Sequence, residues 1–176
     1  MIRFIDICIS IICIIIFSPL LTVLFLFGLF DSSSPLFFQL RLGRNKKKFR
    51  IIKFRSMLIN TESLPTHLID ARYVTKYGRF LRKYKLDELP QLFNVLSGSM
   101  SLVGPRPNLL NQLELTSERE MLGVYKVRPG ITGLAQIKKI DMSNPKLLAK
   151  TDCKMIKNFE IFTYFKLIFS TFFKLK

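Results

Sequence analysis

The run ICISIICIIIFSPLLTVLFLFGLF, residues 7–30, decides the fold of this chain. It contains 24 residues without a charge, and a helix needs about 20 apolar residues to cross the hydrocarbon core of a bilayer. A cleavable signal peptide is the alternative, but its positive region would be reduced to Arg3 beside Asp6. The run is also too long for a signal peptide, and no Ala-x-Ala cleavage site follows it. We therefore predict that this segment lies in lipid.

Ser18-Pro19 interrupts the middle of the apolar run. Proline removes a backbone donor and disfavours helical angles at the residue before it, so we expect the helix to bend or break there. A kinked helix that still spans the bilayer is one outcome, because a side chain such as Ser18 can satisfy the freed carbonyl. The other is a re-entrant hairpin with both ends in the cytoplasm, whose arms of roughly 18 Å enter one leaflet only.

The rest of the chain is strongly basic. The 176 residues carry a net charge of +16, and residues 41–176 alone carry +17. The composition is 49% apolar, which excludes a disordered polycation and suits one domain of ordinary size. By the positive-inside rule, the basic cluster that follows the apolar run predicts a cytoplasmic body. This cluster consists of Arg41, Arg44, Lys46, Lys47 and Lys48.

The three cysteines agree with a reducing compartment. Cys8 and Cys13 lie within the apolar run and Cys153 is alone in the body, so no disulfide framework is indicated.

Periodicity predicts an α+β fold that is mainly α, with one short β-hairpin. The hairpin comprises strands 37–42 and 49–54 around a Gly43-Arg44-Asn45 turn. The aromatic segment 159–173 is too short to span a bilayer, and we expect an amphipathic helix in the membrane interface, with packing against the core as the alternative. The remaining predicted elements are helices at 75–85, 87–96 and 109–125, a strand at 100–103, and an extended segment at 127–137 containing the Pro129-Gly130 turn.

Several catalytic classes lose support because their motifs are missing from the sequence. The single histidine, His67, follows Pro65 closely and is predicted to be a surface loop residue. The sequence has no Gly-x-Ser-x-Gly elbow, Walker A loop, Gly-x-Gly-x-x-Gly motif or Cys/His cluster with zinc spacing. Histidine-assisted serine hydrolysis and zinc catalysis are therefore disfavoured.

The carboxylate pair Asp87-Glu88 stands among cations, a setting that suits a polyphosphate substrate. Opposite charges lower the pKa of a carboxylate and keep it ionised, as a nucleophile that attacks phosphorus must be. A second carboxylate can hold Mg²⁺, which neutralises charge on phosphate oxygens. The alternative is that both acids only cap a helix. The surrounding cations are Arg79, Arg82, Lys83, Lys85, Arg106 and Arg128.

Three blocks of sequence carry a resemblance to a known family. They are YGRFLRKYKLDELPQLFNVLSGSMSLVGPRP at residues 77–107, KFRSM at 53–57 and VRPGITGLAQ at 127–136. Together they closely resemble the signature of the bacterial sugar transferases, the monotopic polyprenyl-phosphate phosphoglycosyl transferases. The similarity extends from the Ser18-Pro19 break to the C-terminal helix, and the length matches the minimal catalytic form of the family.

The resemblance implies a two-step reaction. An aspartate, here Asp87, attacks the β-phosphate of a UDP-sugar, expels UMP and forms a covalent phosphosugar intermediate. Polyprenyl phosphate, such as undecaprenyl phosphate, then accepts the phosphosugar as the first membrane step of surface glycan synthesis. Glu88 is the implied Mg²⁺ ligand. The residues implied to contact phosphate or nucleotide are Lys53, Arg82, Arg106 and Arg128.

The resemblance also implies an arrangement at the membrane. Residues 1–35 would form a re-entrant helix-break-helix at Ser18 and Pro19, 36–156 the cytoplasmic catalytic domain, and 157–176 a C-terminal interfacial helix. The protein would be monotopic on the cytoplasmic face of the bacterial inner membrane, with its bases attracted to anionic lipid. No nucleic-acid partner is expected, and a homodimer is left open.

Three positions depart from the family pattern. Lys138 and Lys139 stand where an arginine-containing run is common, Leu134 replaces a tryptophan, and Ser99 replaces an aspartate. A lysine would supply a point charge without the bidentate geometry of arginine. These changes bear on the identity of the sugar and leave the dyad intact.

A function from another class is a non-catalytic, membrane-tethered basic module that binds anionic lipid or nucleic acid. The net charge alone supports it. No recognised nucleic-acid motif is present, and a lipid-binding patch does not need paired acids among its bases.

Overall fold

The first helix, α1, runs without interruption from Ile2 to Ser32 in the computed structural model, which describes residues 1–59, 61 and 71–173. It is the one helix among those residues that is long and apolar enough to cross a membrane. The predicted loop position of His67, and Lys174 and Lys176 at the C-terminus, lie outside the described residues.

Helices and short strands alternate along the rest of the chain, which is mainly helical with a small β-hairpin, as predicted. Helix α2 is followed by a single 3₁₀ turn, Leu86–Glu88, before α3. The elements after α1 are β1 (Leu36–Leu42), β2 (Lys48–Phe54), α2 (Lys76–Lys83), α3 (Gln91–Leu96), β3 (Ser101–Val103), α4 (Leu113–Met121), β4 (Gly130–Thr132), α5 (Leu134–Ile137), α6 (Pro145–Lys157) and α7 (Ile161–Phe173).

Helix α1 continues across Ser18-Pro19, where the sequence predicts a bend or break. Pro19 has no N–H to donate to the Ile15 carbonyl, and the Ser18 hydroxyl donates to that carbonyl instead, at 2.8 Å. The hydroxyl of Thr22 in turn donates to the Ser18 carbonyl at 2.9 Å. Side-chain hydroxyls thus satisfy the backbone around the proline, and the re-entrant arrangement stays a prediction.

Two charged side chains fasten the N-terminal end of α1 to the body. Arg3 donates to the carbonyls of Val95 (2.7 Å) and Leu96 (3.1 Å), which lie at the C-terminal end of α3. Asp6, 2% exposed, accepts hydrogen bonds from the backbone N–H of Leu102 and from the side chains of Ser101 and Tyr164. The sequence shows these charges only as flanks of the apolar run.

The C-terminal half of α1 is fastened to α2. The Tyr77 hydroxyl donates to the Leu24 carbonyl at 2.6 Å, and Thr75 donates to the Asp31 carboxylate at 2.9 Å. Leu24 also packs in a buried cluster with Phe54 of β2 and Leu81 of α2. Both ends of the apolar helix therefore contact the same body.

The main core lies between α1, α3, the parallel pair β3–β4 and α7. Tyr164 and Leu167 of α7 are buried in this core. The inner face of the helix therefore packs against the core, as the alternative prediction for the aromatic segment proposes. Its outer face exposes Phe162 and Phe169 with Lys166 between them, the pattern of an interfacial helix.

The predicted strands 37–42 and 49–54 are confirmed almost residue for residue, and other boundaries differ. Helix α4 begins at Leu113 rather than at 109, because the Leu109 N–H donates to the Gln112 side chain in a turn that precedes the helix. The extended interpretation of 134–137 is wrong, since α5 occupies these residues.

Helix α6 was not predicted from the sequence, although its signals are present. The Asn144 side chain caps it by accepting from the Leu147 N–H, and Pro145 occupies its first turn.

Candidate active site

The two acids of the dyad lie in the 3₁₀ turn Leu86–Glu88 that joins α2 to α3. Lys85 takes a left-handed conformation (φ 53°) immediately before this turn. Neither end of the turn is capped by a side chain, and Pro90 is the N-cap of α3. The helix-capping alternative for Asp87 and Glu88 therefore has no support in the geometry.

Glu88 is clamped by two cations. Its Oε1 accepts from Lys53 Nζ at 2.9 Å and from Arg106 Nη2 at 2.7 Å, and the side chains of Glu88 and Lys53 are each 16% exposed. Burial acts to raise the pKa of Glu88, but the charges of Arg106 and Lys53 outweigh it and hold that pKa well below the usual range. Glu88 is thus fixed as an anion, with Oε2 left for another ligand.

Asp87 has a different environment. Its carboxylate has no hydrogen-bond partner among the residues that the structure describes. Burial, and then the charge of Glu88, raise the pKa of Asp87 against the opposing effect of Lys53, Arg82 and Arg106. The sequence predicts that surrounding cations lower this pKa, which is true of Glu88 but not of Asp87. The result is a partly buried, unbonded carboxyl group beside an anion and three cations, an arrangement available to a nucleophile.

Arg82 is held in place by close packing beneath it. Its Nε donates to the Ser56 hydroxyl at 2.9 Å. Gly78, one turn earlier on α2, lies so close that a Cβ there would be 2.0 Å from the Ser56 carbonyl oxygen. The structure therefore brings Lys53, Arg82 and Arg106 together around the dyad, three of the four cations selected from the sequence.

Arg128, the fourth, points elsewhere. Its Nε donates to the Gly98 carbonyl at 2.8 Å, at the end of α3 opposite to the dyad. Ser99, one of the departures from the family pattern, donates to the Asn94 carbonyl in the same loop.

Arg41 belongs to the site but was selected from the sequence only as part of a basic cluster. In the hairpin register Arg41 pairs with Phe49 and Phe37 pairs with Lys53, so Arg41 and Lys53 share one face. Burial, and next the charge of Arg106, lower the pKa of Arg41 to about 10, and Glu88 opposes this effect. The alternation Phe37-Gln39-Arg41 is the sequence signal that could have placed it beside Lys53.

The donor set at the dyad fits Mg²⁺. No group of three or more His, Cys, Asp or Glu side chains that could hold a metal occurs among the described residues, so the chain offers two adjacent carboxylates. Mg²⁺ is commonly bound by one or two carboxylates together with substrate phosphates and water. Glu88, whose Oε2 accepts no hydrogen bond from the described residues, provides a carboxylate ligand of this kind.

Comparisons with known proteins agree with these observations. The family described as bacterial sugar transferase matches residues 1–176. The UDP-N-acetylgalactosamine-undecaprenyl-phosphate N-acetylgalactosaminephosphotransferase of Aeromonas hydrophila is 37% identical over 178 residues, covering 96% of this chain and 42% of that protein. The UDP-glucose:undecaprenyl-phosphate glucose-1-phosphate transferase of Klebsiella pneumoniae is 38% identical over 181 residues, covering 96% and 38%.

A shorter relative is the uncharacterized sugar transferase EpsL of Bacillus subtilis. It is 41% identical over 136 residues, which cover 77% of this chain and 67% of that protein. The chain thus spans about two fifths of the length of the Aeromonas and Klebsiella proteins and a larger share of this one.

Proposed function

Because the chain belongs to the bacterial sugar transferase family, we propose that it transfers a sugar phosphate from a UDP-sugar to undecaprenyl phosphate. Relatives whose names state this type of reaction align with 96% of the chain. The observation that carries the proposal is the geometry of the dyad, in which a carboxylate fixed as an anion by Lys53 and Arg106 lies beside an unbonded one.

Asp87 is the proposed nucleophile. A carboxylate oxygen of Asp87 attacks the β-phosphorus of the UDP-sugar, and the bond from that phosphorus to the bridging oxygen breaks. UMP leaves with this oxygen, and a phosphosugar remains on Asp87. A phosphate oxygen of undecaprenyl phosphate then attacks the same phosphorus, which releases the Asp87 carboxylate and forms an undecaprenyl diphosphate sugar.

The cations have separate tasks in this proposal. Lys53 and Arg106 hold Glu88 in its ionised form, and their positive charge beside the dyad would attract the phosphates of a substrate. Arg82, oriented by Ser56, adds positive charge beside Asp87 and favours its ionised form. Glu88 would hold Mg²⁺, which supplies charge neutralisation at the phosphate oxygens when bound.

We propose that α1 is a re-entrant membrane segment with both ends at the cytoplasmic face, bent at Ser18 and Pro19 inside a helix that the Ser18 hydroxyl keeps hydrogen-bonded. Contacts at both ends of the helix support this arrangement, because Asp6 and Leu24 lie against the same body. The middle of the helix exposes large apolar side chains, including Ile12, Ile15 and Ile16. A large exposed apolar surface between two docked ends suits a wedge in one leaflet.

Radiolabel transfer tests the reaction. Wild-type protein given Mg²⁺, undecaprenyl phosphate and a panel of labelled UDP-sugars is expected to release UMP and to produce labelled lipid from one of them. Asp87→Asn should abolish both products. Mass spectrometry after a reaction without acceptor should find the phosphosugar on the peptide that contains Asp87, and wild-type turnover by Asp87→Asn would contradict the proposal.

Cysteine labelling tests the topology. Single cysteines at Met1 and at Ser33, in a protein without native cysteines, should both react only from the cytoplasmic side. Labelling of Met1 from the outside alone would indicate a spanning helix.

A further inference from the structure

Arg41 is a partly buried cation whose direct partners are all neutral. Its Nε (3.0 Å) and Nη2 donate to Oε1 of Gln39, and its Nη1 donates to the Pro107 carbonyl at 3.1 Å. No ion pair to this side chain occurs in the part of the chain that the structure describes. Burying a cation without a counter-charge is costly, so the placement of Arg41 needs an explanation.

The surroundings of Arg41 are already rich in positive charge. Pro107 follows Arg106 directly, and the charge of Arg106 acts on Arg41. Glu88, the acid whose charge acts on Arg41, is already bonded to Arg106 and Lys53. Four cations (Arg41, Lys53, Arg82 and Arg106) therefore stand against the two carboxylates of the dyad. Among the residues that the structure describes, no further acid forms an ion pair with these four cations.

The guanidinium of Arg41 is fixed in position and retains unused donors. Arginine has five N–H groups, and the three bonds to Gln39 and Pro107 leave one on each Nη. Both of its partners are rigidly placed, since Gln39 lies two residues away on β1 and Pro107 lies in the loop whose Asn108 carbonyl accepts from the Leu42 N–H. Such a preorganised fork matches the geometry of phosphate oxygens.

We propose that Arg41 is a further substrate-binding residue of this site, and that its free N–H groups donate to phosphoryl oxygens of a bound substrate. The inference rests on the proposed function and extends it to a residue on the hairpin. Two substrates could supply this chemistry, the diphosphate of the donor or the phosphate of the lipid acceptor. A purely structural role, in which Arg41 only braces the loop at Pro107, is the competing explanation.

Binding measurements on the full-length protein in lipid nanodiscs separate these cases. The probes are UDP, uridine and undecaprenyl phosphate, and the variants are Arg41→Met, Arg41→Lys and Arg41→Gln. Arg44→Met is the matched control, because Arg44 lies in the same hairpin but is exposed at its tip. The melting temperatures of all variants are measured alongside. If Arg41→Met does not fold, Arg41→Gln replaces it in the binding measurements.

If Arg41 binds the diphosphate of the UDP-sugar, Arg41→Met should weaken UDP binding by about tenfold or more, which is the effect of losing a hydrogen bond to a charged group. Uridine binding should not change, Arg41→Lys should recover part of the UDP affinity, and Arg44→Met should behave like wild type. If the acceptor is the partner, the same loss and recovery should affect undecaprenyl phosphate instead.

Two results would overturn the inference. One is unchanged affinity of Arg41→Met for both phosphate probes, and the other is an equal loss for UDP and uridine that Arg41→Lys does not recover. Failure of the proposed function is distinguishable from both: wild-type protein would then bind UDP through Arg41 and yet transfer no label to lipid.

Discussion

The buried pair Arg119–Asp152 permits a quantitative prediction. Arg119 is 1% and Asp152 0% exposed, and Asp152 Oδ2 accepts from Nη2 at 2.7 Å and from Nε at 3.1 Å. The same arginine donates to the Arg106 carbonyl (2.8 Å) and to Asn108 (3.1 Å). The pair therefore connects α4 and α6 to the loop that carries a site cation, and its removal should affect stability first.

Asp152→Asn leaves the Arg119 cation buried without its counter-charge. Loss of one partner of a buried pair costs about 3–5 kcal/mol. For a chain of this size each kcal/mol lowers the melting temperature by about 2–4 °C, so we expect a decrease of about 6–20 °C. Thermal unfolding in detergent, followed by intrinsic fluorescence, measures this change.

A double-mutant cycle identifies the cause. The cycle compares Arg119→Met, Asp152→Leu and the double variant, which lacks both charges. The double variant should lose at least about 2 kcal/mol less unfolding free energy than the sum of the losses in the two single variants. Lys46→Met is the control, since the pair Lys46–Glu120 is about half exposed and should contribute about 0–1 kcal/mol. Additive single losses, or a wild-type melting temperature for Asp152→Asn, would refute the argument.

Three further outcomes are expected. Gly78→Ala should lower the melting temperature and weaken UDP binding, because its Cβ would lie 2.0 Å from the Ser56 carbonyl oxygen; wild-type values for both would contradict the packing described for α2. Burial, and next the charge of Asp31, raise the pKa of Tyr77 to about 12. The stability that Tyr77 contributes is thus fully present below about pH 10 and lost as the pH rises toward 12, so the melting temperatures of wild type and Tyr77→Phe should converge over that window rather than keep a constant difference. Asp6→Asn should cost about 1–3 kcal/mol, because an amide cannot accept all the hydrogen bonds of the buried carboxylate; an unchanged melting temperature would show that Asp6 does not fasten α1.

The parts of the fold that depend on local pattern could be predicted from the sequence. The hairpin follows from two short β-rich runs on either side of Gly43-Arg44-Asn45, and α2 follows from its periodicity, with Thr75 as the side-chain cap. The sequence predicts a helix for the aromatic segment and leaves its packing against the core as the alternative, because Tyr164 reaches Asp6 across 158 residues of sequence. A pairing over that distance leaves no periodic signal.

The candidate site, like the fold, could be predicted from the sequence only in part. The motifs placed Lys53, Arg82 and Arg106 near the dyad, and the structure brings these three together. Arg128 was selected by the same reasoning, yet its guanidinium bonds to a carbonyl in another loop, a direction that only the tertiary packing determines. The sequence does not place Arg41 beside the dyad, because its position depends on the hairpin register and on the loop at 107.

The apolar helix α1 contacts the elements on both sides of the dyad. The N-terminal end of α1 holds the end of α3 through Arg3, and α3 begins just after the dyad. The C-terminal half holds α2 through Tyr77, and α2 ends just before it. Asp87 therefore lies between two elements that are each fastened to the same helix. In the membrane arrangement proposed above, the depth of α1 in lipid would set the height of Asp87 above the membrane surface. The lipid phosphate of the proposed reaction would approach from that surface, so the anchoring of α1 would determine whether the carboxylate and the phosphate can meet.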